Sequence, residues 1–153
     1  MKLGAVFKKE RLLKKLSTAE TATALHLSED SYLQLEDGQS PIERWGPLLA
    51  KIAITLGTPT SRLISETGKA TQAQRGECGK LIRGHRERRN ISVGEMAHLL
   101  GLSEAEYTEI ELGNSMIEDC GPMLLRFAEL IDQPVFNLLY PCGVALEKLT
   151  DYP

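Results

Sequence analysis

The chain has 153 residues, of which 42% are apolar and 25% charged, and a formal net charge of −3. That composition is ordinary for a soluble globular protein, and the negative balance argues against indiscriminate binding of nucleic acid. No apolar run approaches the roughly 18 residues of a membrane span, and the basic start from Met1 to Lys15 lacks the apolar core of a signal peptide. A cytoplasmic protein is expected.

In chain order, helix formers run from Phe7 to Lys15, with apolar Phe7, Leu12, Leu13 and Leu16 among lysines, and predict a first helix. Ser17 is suited to cap a second helix that ends near Leu25, with Glu20 at the reciprocal position of a capping box. Ser28 caps a third helix with Ser31 at the box position, Tyr32 and Leu35 on its buried face, and Gly38 just past its end. Gly46-Pro47 predicts the opening of a fourth helix, because proline suits a first turn. Pro59 predicts a fifth, running through Leu63 and Ile64.

The same signals then return. Shifted by 75 positions, residues 4–64 fall on 79–139 without a gap, and 21 of those 61 pairs are identical. Ser92, Glu95, Ser103, Gly113, Gly121-Pro122 and Pro134 repeat the helix punctuation of the first copy. A period this long fits a small domain rather than a solenoid unit. The chain is therefore expected to hold one domain at 1–68, a linker at 69–76, a second domain at 77–142 and a tail at 143–153. Modules of this size bury little core alone, so the two should pack on each other.

Enzyme chemistry finds no support. No Ser/His/Asp order, Gly-rich phosphate loop or pair of carboxylates in an apolar setting stands out, and no cofactor is implied. Cys78, Cys120 and Cys142 show no C-x-x-C spacing and no ligand spacing with His26, His85 or His98, so no metal site is expected and the thiols suit a reducing compartment.

Helices two and three of each copy are joined by very short turns, Leu25 to Ser28 and Gly101 to Ser103, and Gly101 is a residue such a turn favours. Around them, "STAETATALHLSEDSYLQLEDG" from Ser17 to Gly38 and "SVGEMAHLLGLSEAEYTEIELG" from Ser92 to Gly113 resemble the lambda-repressor and Cro-like (XRE-type) family of helix-turn-helix domains. The second stretch is the closer match, and the following "GPMLLRFAELIDQPVFNLL" resembles the family's fourth and fifth helices. The resemblance covers about four-fifths of the chain. It implies an all-α fold of two tandem five-helix domains packed as an intrachain pseudo-dimer, and it implies transcriptional regulation. It also implies that Arg11 with Glu36, and Arg86 with Glu111, form partly buried ion pairs that belong to the scaffold.

In DNA-binding members of such a family, the third helix enters the major groove and its first residues touch base edges. Here that helix offers Glu29, Asp30, Ser31 and Gln34 in the first copy, and Glu104, Ala105, Glu106 and Glu109 in the second. Arginine, lysine, glutamine and asparagine match base edges, whereas several carboxylates on one helix face a polyanion. DNA-binding relatives place a glutamine just after the serine of helix two, and here Thr18 and Val93 stand there. Residues 17–44 hold six acids against Arg44 alone, and residues 92–119 hold seven against no lysine or arginine. Positive charge gathers instead on helix one, at Lys8, Lys9, Lys14 and Lys15 in the first copy and at Lys80, Arg83, Arg88 and Arg89 in the second.

The expectation is a regulator that works mainly by contacting a basic protein, such as another transcription regulator, through Glu29, Asp30, Glu104, Glu106 and Glu109. The alternative is a DNA-binding repressor or activator whose copies, chiefly the first, address successive major grooves through Lys8, Lys9, Lys14, Lys15, Ser31 and Gln34. Any DNA contact is expected to be weak, and the chain to be a monomer or homodimer.

Overall fold

A computed structural model of the chain describes residues 2–57, 76–133, 135 and 138. Among the described residues it is all-helical, with eight α-helices and no strand. They are α1 (Leu3–Leu13), α2 (Thr18–Ala24), α3 (Glu29–Glu36), α4 (Ile42–Leu56), α5 (Glu77–Arg88), α6 (Val93–Leu100), α7 (Glu104–Glu111) and α8 (Ile117–Leu130). The helix expected from Pro59 and the tail at 143–153 lie outside the described residues, as does the linker except for Gly76. Of the helix expected from Pro134, only Val135 and Leu138 are described, and both are buried.

Local chemistry explains the short helices. Ser17, Ser28, Ser92 and Ser103 each sit in extended conformation before a helix, and each hydroxyl accepts from the backbone N–H three residues on. The reciprocal half of the capping box forms only at Ser103, where the Glu106 carboxylate accepts from the Ser103 N–H at 3.1 Å. Left-handed residues then stop the chain at matching places. Lys15 and Asn90, His26 and Gly101, Gly38 and Gly113, and Gly57 and Asp132 all have φ between +54° and +80°. His26 thus adopts the turn that Gly101 takes without strain, at a cost of roughly 1 kcal/mol.

The longer helices begin where tertiary contacts dictate. α1 starts four residues before Phe7 because Leu3, Gly4, Val6, Phe7 and Arg11 form its buried face, leaving Leu12 and Leu13 exposed. Its first amides are capped from a distance, since Glu43 accepts from the N–H groups of Leu3 and Gly4 at 2.8 and 2.7 Å. Glu118 does the same for α5, accepting from Gly76, Cys78 and Gly79 at 2.6, 3.2 and 2.9 Å. Gly46-Pro47 does not open the fourth helix; Pro47 lies inside α4, and Pro122 inside α8. The start comes earlier because the hydroxyls of Ser40 and Ser115 accept from the N–H groups of Ile42 and Ile117, and both isoleucines are fully buried.

Each run of four helices closes on an arginine–glutamate pair. Arg11 Nη2 lies 3.0 Å from Glu36 and donates through Nη1 to the Leu16 carbonyl at 2.9 Å. Arg86 grips Glu111 at 2.6 and 3.0 Å and the Ile91 carbonyl at 2.8 Å. Tyr32 and Tyr107 lie buried beside these pairs, their hydroxyls outside hydrogen-bonding geometry, and burial pushes both phenols far above their ordinary pKa. Gly4 and Gly79 allow the close approach, because a side chain at either would land on the Leu35 or Ile110 carbonyl oxygen.

The two runs also pack together. α4 lies along α8 and against α5 and α6, while α8 also reaches α2. The rings of Phe7 and Phe127 stack across this boundary with centroids 3.9 Å apart, and Lys51 Nζ donates to the Leu100 carbonyl at 3.2 Å. Buried side chains from both runs form one apolar cluster.

Candidate functional site

The serine caps fix how α3 and α7 begin, and therefore which side chains face outward. Glu29, Asp30, Ser31 and Gln34 are exposed on α3, and Glu104, Glu106 and Glu109 on α7. Tyr32 and Leu35, and likewise Tyr107 and Ile110, turn inward and anchor each helix. On these two exposed faces no lysine or arginine appears.

Several of these acids already have partners within the chain. Thr18 donates its hydroxyl to Glu29 at 2.7 Å, so the position just inside α2 is directed to α3 rather than outward. Glu104 folds back over Gly94, the second residue of α6. Glu109 accepts from the Asn114 side chain at 2.9 Å. Glu106 accepts from Ser103 and lies 3.5 Å from Arg44 of α4, a pair that crosses between the two helical runs. The Ser103 backbone N–H, then its hydroxyl, hold the Glu106 carboxyl below the usual range. Arg44 itself lies over the Trp45 ring at 4.7 Å.

The basic residues lie on other helices. Lys8 and Lys9 are exposed on α1, and Lys14 and Lys15 are exposed just past its end. In the second run Lys80, Arg83, Arg88 and Arg89 are exposed, with Arg83 tied to Glu87 at 2.8 Å and Arg89 to the His85 carbonyl at the same distance.

Two grooves lie where one run meets the other. The wider, about 500 Å³, runs between the α2–α3 turn and the start of α8, with Leu27, Ser31, Gln34, Met116, Asp119 and Cys120 on its walls. The narrower, about 310 Å³, lies between α7 and α4 and is lined by Arg44, Trp45, Leu102, Glu106 and Glu109 among others. Each of the nine residues lining the narrower groove has its counterpart, 75 positions away, lining the wider one. Ser31 thus answers to Glu106, Gln34 to Glu109, Asp119 to Arg44 and Cys120 to Trp45.

Ser31 and Gln34 are therefore brought together with residues of the other run, not with the lysines of α1. Sequence reasoning did not single out Trp45 or Asp119, weighed Cys120 only as a metal ligand or disulfide partner, and did not foresee the capping roles of Glu43 and Glu118. The identity of Glu43 and Glu118 within the repeat was the one signal available for the latter two. Among the described residues no cluster of histidine, cysteine, aspartate or glutamate could hold a metal ion, and no helix is long and apolar enough to cross a membrane. Comparison of the chain with protein-family models, with curated proteins and with solved structures found no match in any of the three.

Proposed function

We propose that the chain is a tandem pair of lambda-repressor-like helix-turn-helix domains packed as an intrachain pseudo-dimer, and that it acts in transcriptional control mainly by contacting a basic protein. The pseudo-dimer draws support from contacts that exchange under the 75-residue shift. α4 meets α6 as α8 meets α2, and the two grooves share corresponding linings. Both domains then present their α3-type helix and neither needs a second chain to be paired.

The observation that carries the functional reading is the outward face of α3 and α7, which holds carboxylates and neutral side chains and no cation. The one arginine among residues 17–44, Arg44, lies against Glu106. A duplex approaching this surface would meet like charge where affinity is normally made. A protein carrying lysines or arginines would meet opposite charge, which raises association rate and selectivity.

The test is a triple reversal of Glu104, Glu106 and Glu109 to lysine, with circular dichroism to confirm the fold. Capture of basic partners should slow and lose its salt sensitivity. Partners retained at the same salt tolerance would refute docking through α7. Weak DNA contact by the first domain is the alternative, favoured by exposed Ser31 and Gln34 on α3 and by exposed Lys8, Lys9, Lys14 and Lys15 near α1.

A further inference from the structure

α1 carries two stripes. Leu3, Val6, Phe7 and Arg11 turn inward, and a second set at helical spacing, Ala5, Lys8, Lys9, Leu12 and Leu13, is exposed. Leu12 and Leu13 are 55% and 66% exposed, and Lys14 and Lys15 are exposed just beyond them. The corresponding positions of α5 show how this fold builds a solvated face. Lys80, Arg83, Gly84, Glu87 and Arg88 stand there, with Arg83 paired to Glu87 at 2.8 Å. On α1 leucines replace Glu87 and Arg88. Among the described residues no hydrogen bond or ion pair engages the side chains of Lys8, Lys9, Lys14 or Lys15.

α3 exposes a stripe of the opposite sign. Asp30, Leu33 and Asp37 are exposed at helical spacing, and neither aspartate side chain has a partner among the described residues. The two stripes match when run antiparallel. Lys15 then stands opposite Asp30, Leu12 opposite Leu33 and Lys8 opposite Asp37, with the same intervals of three and four positions on both sides. The second run has no such pair of stripes, since Ala105 and Thr108 replace Asp30 and Leu33.

We infer that the outer stripe of α1 docks on α3 of a second molecule of this chain, and that the contact is made twice in a symmetric dimer. Within one chain α1 and α3 already pack side by side, through the Arg11–Glu36 pair and the approach of Gly4 to the Leu35 carbonyl, so one twofold axis can form both contacts at once. Such an interface is self-complementary and closes at two chains. A polyanion such as DNA or an anionic lipid surface would attract the lysines but leave Asp30 and Asp37, on the neighbouring helix, facing like charge. The inference rests on the proposed docking role of the acidic helices for α3 alone, whose basic partner it names as this chain itself.

The experiment is sedimentation of the full chain over a range of concentration and salt. A monomer–dimer equilibrium in roughly the micromolar range, weakening with salt, is expected from stripes this short. Lys8→Glu with Lys15→Glu sets acid against acid, and Asp30→Lys with Asp37→Lys sets cation against cation. Each of these variants alone should lose at least about tenfold in association. Mixed in equal amounts they should recover a heterodimer, because α1 of each molecule then meets an oppositely charged α3 in the other. Leu12→Ser with Leu13→Ser should weaken the dimer by about tenfold and leave its salt dependence unchanged. Circular dichroism confirms that each variant is folded. A chain that stays monomeric up to about 1 mM would overturn the proposal. Species larger than a dimer, or a mixture of the two reversed variants that fails to associate, would overturn it as well. So would a lysine variant that sediments like the wild type but loses retention on vesicles containing phosphatidylserine, which would give the stripe to a lipid surface. The triple lysine reversal on α7 should leave the dimer unchanged, so failure of docking through α7 and failure of this interface are read separately.

Discussion

Replacing Arg86 by alanine is expected to destabilise the second run of helices by about 3–5 kcal/mol, because it strands a carboxylate in a site water cannot easily enter. Glu111 is 8% exposed and Arg86 11%, and the guanidinium also holds the Ile91 carbonyl at 2.8 Å. Losing that last hydrogen bond adds about 1 kcal/mol. The Arg44–Glu106 pair provides the internal contrast. Its side chains are 62% and 53% exposed at 3.5 Å, so Arg44→Ala should cost less than about 1 kcal/mol. Against a total stability of roughly 5–15 kcal/mol, Arg86→Ala should lower the melting temperature by roughly 10 °C or more. The double variant Arg86→Met, Glu111→Leu should recover part of the deficit, since the buried charge goes with its partner. Urea titration and thermal melts of the single and double variants measure all of this. A destabilisation by Arg86→Ala no larger than that by Arg44→Ala would refute the argument.

The remaining expectations follow from single contacts. Glu118→Ala removes the acceptor of three amides at the start of α5 and should cost about 3 kcal/mol in urea unfolding, more than Glu43→Ala, which frees two. Gly79→Ala would drive a methyl group into the Ile110 and Glu111 carbonyl oxygens and should cost about 3 kcal/mol, whereas Gly84→Ala meets only the tip of Arg88 and should gain up to about 1 kcal/mol. Burial pushes the Cys120 thiol from 9.0 up to about 12, so the folded chain keeps a proton that the unfolded chain releases. That contribution is fully present below pH 9 and disappears as pH rises toward 12, so wild-type melting temperature should fall faster with pH than that of Cys120→Ala.

What could be read from the sequence was what is locally encoded. Ser17, Ser28, Ser92 and Ser103 cap their helices through bonds spanning three residues, so α2, α3, α6 and α7 stand within a residue or two of where the pattern puts them. The starts of α1 and α5 were not legible because their caps, Glu43 and Glu118, lie about 40 residues away along the chain. The starts of α4 and α8 were missed because Gly-Pro is a common opening signal. Here buried Ile42 and Ile117 pull the helix a turn earlier, and the proline is carried inside. The outward acids were legible as a pattern, but not their internal partners, since Glu106 meets Arg44 only once the two runs pack. The grooves were invisible for the same reason, although the exchange of Trp45 for Cys120 is plain in the aligned repeat.

The proposal that the helix pairs α2–α3 and α6–α7 face protein and not DNA is tested most directly by enrichment from a random duplex pool. A salt series on the enriched and starting pools completes the measurement. The account predicts no enriched motif. It predicts residual affinity that falls with salt, and a slope that shrinks by nearly one for each phosphate deprived of its lysine when Lys8, Lys9, Lys14 or Lys15 is substituted. A motif bound tightly at physiological salt, and no longer bound after Gln34→Ala or Ser31→Ala, would contradict it and assign base reading to α3.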